Sequence, residues 1–235
     1  MSGPIFIVLD SETTGPDEHD QPVEVGYCIT GLGCTFSYAS SLVKPTIPIT
    51  PGASAIHHLL DEDLMDAPPL ADALADLKLI GATTWDAEAY VAHNAPFDRP
   101  KLSMLDDKPW LDTLRMSRRY LPEAPSHSNQ FLRYYLHLDV PRDLPAHRTL
   151  CDCLTTAALL RHLLNGPARD DFERLGVEGF VKHVDSPLLL TMCNFGKHAG
   201  KRWSEVPTDY LSWILRQRDF DPDVAFTAQH YFRLQ

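Results

Sequence analysis

The chain has 235 residues, which is enough for one substantial hydrophobic core, or for one domain with a small appendage. Hydrophobic residues make up 44% and charged residues 23%, the proportions of an ordinary soluble globular protein. The net charge of −11 argues against a protein that coats nucleic acid through a basic surface.

The start of the chain and the cysteines indicate where in the cell the protein is expected. The first residues lack the basic stretch of a secretory signal, and the apolar run 5–9 is too short to cross a membrane. The five cysteines form no C-x-x-C pair, and Cys151 and Cys153 fall in a helical pattern where small buried thiols are expected. We therefore expect a cytoplasmic protein with no membrane partner.

The first predicted strand is the apolar run 5–9, and two acidic residues follow it. Residues two apart on a strand share a face, so Asp10 and Glu12 are expected to point the same way. Two such carboxylates need a positive partner, and oxygen ligands suit Mg²⁺ or Mn²⁺. The alternative for this stretch alone is a strand that ends in a polar turn at residues 13–15.

The following elements alternate between strands and helices. Strands are predicted at 23–30, 34–43, 89–92 and 110–111. Helical patterns are predicted at 53–60, 70–80, 97–105, 112–120, 129–138 and 149–164. An initial three-stranded meander followed by alternating strands and helices predicts an α/β domain with a mixed central sheet flanked by helices.

Composition changes after residue 166, which predicts a division of the chain. We expect a main domain at 1–166, a linker with one helix at 167–185 and a small α+β tail at 186–235. The tail is predicted to contain a strand at 188–193 and helices at 210–217 and 222–232. It is too small for a large core of its own, so we expect it to dock on the main domain.

Further acidic residues recur at the ends of later elements. Asp98 follows the strand that ends at residue 92, and Asp152 lies one turn inside the last long helix. His147 precedes Asp152 by five residues, in the loop that enters this helix. With Asp10 and Glu12 this makes four carboxylates, a set that suits two divalent cations acting on a phosphodiester, with a histidine to accept a proton.

These residues form three ordered motifs. They are Asp10-x-Glu12-Thr13-Thr14-Gly15, then His93-Asn94-Ala95-Pro96-Phe97-Asp98, then His147-Arg148-x-x-x-Asp152. Over residues 4–165 the chain resembles the DnaQ-like 3′→5′ exonucleases of the DEDDh subgroup, in which a histidine lies five residues before the last aspartate. Arg148 stands where a sister subgroup has a tyrosine. The resemblance implies an RNase H-like fold.

The tail relates the chain to one group within that family. Its motif Phe195-Gly196-Lys197-x-x-Gly200-Lys201 is followed by Val206-Pro207 and by Tyr210-Leu211-x-Trp213. This segment is similar to the C-terminal segment of the exodeoxyribonuclease X group, which implies that it either contacts DNA or braces the fold. Apart from the tail, no feature of the sequence separates DNA from RNA as the substrate.

The resemblance also implies roles for individual residues. Asp10, Glu12, Asp98 and Asp152 are expected to bind two Mg²⁺ ions, for which Mn²⁺ can substitute, and His147 is expected to act as general base. Substrate contacts are expected from Thr13, Thr14, His57, Asn94 and Phe97. Residues 16–17, which follow the first motif, are neither large nor apolar, so a base-wedging role there is not expected.

Other polar residues are given structural interpretations. His93 is expected to be structural, His57 rather than its neighbour His58 is expected to face the site, and Asp112 is interpreted as a helix N-cap. The aromatic residues Trp203, Tyr210 and Trp213 are expected to form the core of the tail.

The resulting hypothesis is a 3′→5′ exodeoxyribonuclease that releases nucleoside 5′-monophosphates in DNA repair or recombination. Its expected partners are the 3′ ends of single-stranded and also double-stranded DNA, and the motifs are equally compatible with RNA. One alternative is an exoribonuclease or RNA trimmer of the same fold, and another is a catalytically silent nucleic-acid-binding module. The oligomeric state stays open, a homodimer included.

Overall fold

The computed structural model describes residues 3–80, 86–217 and 220–234. Its centre is one five-stranded sheet. The strands are β1 (Phe6–Thr13), β2 (Pro22–Thr30), β3 (Thr35–Leu42), β4 (Ala89–Ala92) and β5 (Trp110–Asp112). Their order across the sheet is β3-β2-β1-β4-β5; β2 is antiparallel to both β1 and β3, whereas β4 is parallel to β1 and β5. The predicted mixed sheet is confirmed.

Helices cover both faces of the sheet. In the described residues they are α1 (Pro51–His57), α2 (Leu70–Asp76), α3 (Ala95–Lys101), α4 (Thr113–Tyr120), α5 (Asn129–Tyr135), α6 (Thr149–Leu164), α7 (Arg169–Asp185), α8 (Thr208–Leu215) and α9 (Pro222–Leu234). None of these helices is long and apolar enough to cross a membrane. Helix α3 starts two residues earlier than predicted because Asn94 adopts a left-handed conformation, with φ of 82°, just before it.

Strand β1 divides the core into two parts. Phe6 and Val8 pack with α4, α5, α6 and α7, whereas Ile7 and Leu9 pack with α2 and α3 on the opposite face. This alternation follows from the two-residue period of a strand. It continues to Asp10, which therefore shares the face of Phe6 and Val8, on which α6 packs.

Helix α6 is the central helix of the fold and has the predicted bounds. Of its 16 residues, 13 are buried, which is the pattern of a helix enclosed on nearly all sides. Its start lies directly over β2, where a Cβ added to Gly26 would come within 2.6 Å of Thr149 Oγ1. The absence of a side chain at Gly26 therefore sets how closely α6 approaches the sheet.

The segment predicted as a linker, 167–185, is mostly helical. Helix α7 spans 17 residues and bends at Gly176, whose φ of 65° is non-helical. Phe172 and Phe180 of α7 are buried in the main core and meet edge to face, with ring centroids 5.3 Å apart. The bend divides the apolar pattern into two short pieces, which is why the sequence appeared mixed and polar.

The tail after residue 185 has its own small core around Trp203, as expected, and Tyr210 belongs to it, although Trp213 is 40% exposed. The predicted strand 188–193 does not form among the described residues: this stretch is extended and contributes one isolated bridge, Met192 with Arg202. The tail is therefore mainly helical rather than α+β. Arg115 joins it to the main domain through an ion pair with Asp223 at 3.1 Å.

Candidate active site

The carboxylates predicted from the sequence meet at one point of the fold. Oxygens of Asp10, Glu12 and Asp152 lie within 4.8 Å of one another. Asp10 and Glu12 lie on the same face of β1, and Asp152 lies in the first turn of α6, which packs on that face. The arrangement follows from the strand period together with the close approach of α6 over Gly26.

Asp98, at the start of α3, lies outside this group of three, but its charge is close enough to raise the pKa of Asp10. It is buried, and its Oδ1 accepts hydrogen bonds from the backbone N–H of Ser11 at 3.0 Å and from the Ser11 hydroxyl at 2.7 Å. Ser11 was not singled out in the sequence, although its place between two acidic residues on β1 directs it to the opposite face. It holds Asp98 beside the strand that carries Asp10 and Glu12.

Asp152 is held from a second side by residues at the start of α5. Gln130 Nε2 donates to Asp152 Oδ1 at 2.5 Å, and Asn129 Nδ2 lies 3.4 Å from the same oxygen. Asn129 Nδ2 also donates to the backbone carbonyl of Asp152 at 3.2 Å. Asn129 was predicted as the start of a helix. No local pattern predicts the role of Gln130, because its contact with Asp152 spans 22 residues of chain.

The electrostatics of the cluster are unfavourable in the protein alone. Burial, and then the negative charges of Asp98, Asp152 and Glu12, raise the pKa of Asp10 well above its usual range. Burial also raises the pKa of Glu12 to about 8 and that of Asp98 to about 7. The donor set is all oxygen and negatively charged, which fits hard divalent cations such as Mg²⁺ or Mn²⁺.

His147 lies next to the cluster in the loop before α6. Its side chain is exposed and its φ is 58°, a left-handed conformation that turns the chain sharply into the helix. Burial raises the pKa of Asp152, and the hydrogen bond from Gln130 and the nearby His147 imidazole act against that rise. The loop therefore presents His147 to solvent beside the fourth carboxylate.

The first motif ends in residues whose polar groups are mostly engaged inside the protein. Thr14 is fully buried; its hydroxyl donates to Asp20 at 2.7 Å, its N–H donates to the Gln21 carbonyl, and its carbonyl accepts from Thr50. The Thr13 hydroxyl donates to the Gly15 carbonyl at 2.6 Å. Each polar group of Thr14 thus has a partner inside the protein, and these contacts fix the loop after β1.

His57 was expected to face the site, and it is buried behind Thr13. Its Nδ1 accepts from the Leu59 N–H at 3.0 Å, so the neutral ring donates from Nε2 to the Thr13 carbonyl at 3.2 Å. Burial lowers the pKa of His57, which favours this neutral form. Both ring nitrogens are occupied, so His57 braces the end of β1 rather than offering a free hydrogen bond to a substrate.

Asn94 and Phe97 flank Asp98 on the start of α3. Asn94 is exposed, and its N–H donates to Asp112 Oδ1 at 3.1 Å. Phe97 is partly exposed, with the Lys101 ammonium 5.5 Å from its ring centroid. Both side chains are accessible beside the cluster, and Phe97 offers an apolar face there.

His93 and Asp112 are structural in this protein. His93 Nδ1 lies 3.0 Å from Thr113 Oγ1, and its Nε2 donates to the His127 carbonyl at 2.8 Å. Burial lowers the pKa of His93 to about 4. Asp112 Oδ1 accepts from the N–H of Leu114 at 2.8 Å, which confirms it as the N-cap of α4. Together they anchor the segment that carries Asn94 to the neighbouring elements.

Known proteins are similar to this chain in sequence. The RNase_T exonuclease family model matches residues 7–160. Exodeoxyribonuclease 10 of Escherichia coli strain K12 is 32% identical over 230 residues, covering 95% of this chain and 97% of that protein. A DNA polymerase III subunit epsilon-like protein of Rhodobacter capsulatus is 29% identical over 170 residues, which cover 68% of this chain and 23% of that protein.

Solved structures give the same assignment. Exonuclease X in complex with 5′ overhanging duplex DNA superimposes with a TM-score of 0.63 and 30% identity, covering 76% of this chain and 99% of that one. Product-bound exonuclease I shares the fold, with a TM-score of 0.59 and 17% identity over 74% of this chain and 46% of that one. The chain belongs to the DnaQ-like exonuclease family, whose members are hydrolases, and within that family it is similar to exonuclease X.

Proposed function

We propose that this chain is a Mg²⁺-dependent 3′→5′ exodeoxyribonuclease that releases nucleoside 5′-monophosphates from DNA ends. The observation that carries the proposal is the cluster of Asp10, Glu12 and Asp152 within 4.8 Å, with Asp98 beside it. Burial and mutual repulsion raise the pKa values of Asp10 and Glu12, a cost that bound cations offset.

Each carboxylate has a distinct support in this role. Asp10 and Glu12 come from a rigid strand, Asp152 is oriented by Gln130, and Asp98 is oriented by Ser11. These four carboxylates would hold two divalent cations, which would acidify the attacking water and stabilise the leaving 3′ oxygen. Mn²⁺ is expected to substitute for Mg²⁺ because it accepts the same oxygen ligands.

In this proposal His147 accepts the proton of the attacking water. The water oxygen forms a bond to phosphorus, the bond from phosphorus to the 3′ oxygen breaks, and His147 takes the proton that the water loses. The terminal nucleotide leaves with a 5′-phosphate, and the leaving 3′ oxygen takes a proton from solvent, so the shortened strand keeps a 3′-hydroxyl. The exposed position of His147 suits a base that must afterwards return its proton to solvent.

DNA is proposed as the substrate from the chain's likeness to two proteins. The relative that matches nearly the whole chain, tail included, is named an exodeoxyribonuclease, and the similar solved structure holds duplex DNA. We expect single strands to be degraded faster than duplex ends, because unstacking a terminal base pair costs a few kcal/mol. A role in DNA repair or recombination, in the cytoplasm, accords with five free cysteines and with this substrate.

The exoribonuclease alternative and the silent binding module are separated by one assay. DNA and RNA strands of one sequence, each labelled at the 5′ end, are incubated with the protein in Mg²⁺ or in EDTA. We expect DNA ladders that shorten from the 3′ end and vanish in EDTA and in Asp10→Asn. Asp66→Asn, which removes an exposed carboxylate elsewhere, is the matched control and should be as active as the natural chain.

The remaining outcomes each reject a part of the proposal. A ladder from RNA alone would reject DNA as the substrate and favour the exoribonuclease. Equal ladders from Asp10→Asn and from Asp66→Asn would reject the carboxylate cluster as the active site. Binding of DNA without any shortening, in Mg²⁺ and in Mn²⁺ alike, would favour the silent binding module.

A further inference from the structure

A groove of about 820 Å³ separates the main domain from the tail. One wall comes from α4 and the loop after it, and the other comes from the extended tail segment 189–195 with Gly200 and Arg202. No part of the proposed hydrolysis uses this groove. The groove is partly open to solvent.

The groove ends close to the carboxylate cluster. His127 lines it, and Asn129, two residues further on, contacts Asp152. Two residues of extended chain span at most about 7 Å. The position of His127 is fixed, since its carbonyl accepts from His93 and its Nδ1 lies 3.1 Å from Ser117 Oγ. A strand with its end at the carboxylates can therefore continue into the groove.

The tail wall carries positive charge in an acidic protein. Residues 186–204 contain no Asp or Glu, whereas they include Lys197, Lys201 and Arg202, in a chain of net charge −11. Lys201 and Arg202 are exposed, and neither forms an ion pair within the described parts of the chain. The groove lining also holds Arg118 and Asp221, which pair at 2.8 Å, and the exposed Glu123, so among the described residues Arg202 is its cation without an ion pair.

The loop that presents these cations is fixed by its own backbone. The Cys193 N–H donates to the Lys201 carbonyl at 2.8 Å, and the Gly200 N–H donates back to the Cys193 carbonyl at 2.7 Å. Trp203, fully buried in the tail core, donates from its indole to the Met192 carbonyl at 3.0 Å. A loop held in this way binds a ligand without first losing conformational entropy.

We propose that the groove binds the single strand of nucleic acid behind its 3′ end, with Lys201 and Arg202 contacting backbone phosphates. The inference rests on the proposed nuclease function, because it takes its ligand from there. Leu189 and Met192, which are 41% and 44% exposed on the same tail segment, offer apolar surface to the bases. Such contacts are independent of sequence, as a nuclease that proceeds along a strand requires.

The test compares Lys201→Gln/Arg202→Gln with Arg169→Gln/Lys182→Gln in the full chain. The control variant removes two exposed cations of α7, each paired there with a glutamate four residues away. Binding of a labelled 20-nucleotide DNA strand is measured by anisotropy in EDTA, which stops hydrolysis, at several salt concentrations. We expect the tail variant to bind about tenfold more weakly at 50 mM salt, with a salt slope smaller by about 1.4.

A charge-conserving variant and a short substrate complete the experiment. Lys201→Arg/Arg202→Lys should bind like the natural chain, because a phosphate contact needs the charge. Hydrolysis of a trinucleotide, too short to enter the groove, should be equal in all variants. Equal affinity and salt slope in the tail and control variants would overturn the groove proposal. Failure of the natural chain to shorten any strand would instead reject the nuclease function.

Discussion

Arg148 donates two hydrogen bonds, each 2.9 Å long, to the two carboxylate oxygens of Glu24. Glu24 lies on β2 and its side chain is only 4% exposed, whereas Arg148 directly precedes α6. The Thr149 N–H adds a third bond to Glu24 at 3.3 Å. This ion pair ties the start of α6, and with it His147 and Asp152, to the sheet that carries Asp10 and Glu12.

Breaking that pair from the arginine side should destabilise the protein and impair the site. Arg148→Ala leaves Glu24 buried without its main partner, so we expect the free energy of unfolding in urea to fall by about 1.5–3 kcal/mol. Glu24→Gln/Arg148→Met removes both charges and should recover part of the loss. Equal stability of Arg148→Ala and the natural chain would show that the pair does not anchor the helix.

The approach of α6 to the sheet can be tested at Gly26. In Gly26→Ala the added methyl group meets the side chain of Thr149 at 2.6 Å and its backbone at 3.0 Å. Overpacking of this kind costs about 1–3 kcal/mol, and it should move Asp152 away from Asp10. We expect a lower urea midpoint and weaker Mg²⁺ binding by calorimetry.

Gly33→Ala is the matched control for this change, since apart from its two chain neighbours no atom of the described residues lies within 4 Å of the added methyl group. It should leave both the urea midpoint and the Mg²⁺ affinity unchanged. If Gly26→Ala binds Mg²⁺ as tightly as Gly33→Ala does, the spacing of the cluster does not depend on this contact.

The carboxylate cluster predicts an unusual pH dependence for the metal-free protein. Burial raises the folded-state pKa of Glu12 to about 8 and of Asp98 to about 7, so the folded state binds protons that the unfolded state has already lost. Stability in EDTA should therefore fall as the pH rises from about 4.5 to about 8. Urea unfolding at a series of pH values measures this slope.

Saturating Mg²⁺ should remove this loss above pH 7, because the cation binds the ionised carboxylates of the folded state alone. At 100 times the dissociation constant we expect a gain of about 2.7 kcal/mol for one site. Stability that rises with pH in EDTA, or that does not respond to Mg²⁺ at pH 8, would contradict the electrostatic account of the cluster.

Replacing His147 is expected to lower the rate of hydrolysis without changing the affinity for Mg²⁺. His147→Ala should lower kcat about 10²–10⁴-fold, the usual contribution of a positioned general base. The Mg²⁺ affinity measured by calorimetry should be unchanged, because the metal ligands are carboxylates. His137→Ala, in the loop after α5, is a control with the same substitution and should retain activity. A kcat within a few-fold of the natural value would exclude His147 as the base.

Much of the fold was accessible from the sequence because its signals are local. The period of β1, the strand at 89–92 and the bounds of α6 all follow from patterns within a few residues, and the structure confirms them. Part of the carboxylate cluster also follows from a local signal, because the strand period alone places Asp10 and Glu12 on one face. At 167–185 the sequence predicted a linker with one helix, whereas α7 fills most of the segment, because Gly176 divides its apolar pattern into two short pieces.

The supporting contacts of the site were not accessible in this way. Ser11 meets Asp98 across 87 residues, and Glu24 meets Arg148 across 124. Such pairs leave no spacing signal in a single sequence. Thr14 and His57 were expected to meet the substrate, yet their hydrogen bonds are made with loops that only the folded chain brings close to β1. The resemblance of motifs gave their proximity to the site but not their bonding.

The most direct test of the central claim follows the first nucleotide that leaves. A single-stranded DNA labelled on its 3′-terminal nucleotide is mixed with excess protein and Mg²⁺, and the products are separated over time. The account predicts that all label appears first as a nucleoside 5′-monophosphate, and that none is released by Asp10→Asn. Label that stays in progressively shorter strands would show degradation from the 5′ end and contradict the account.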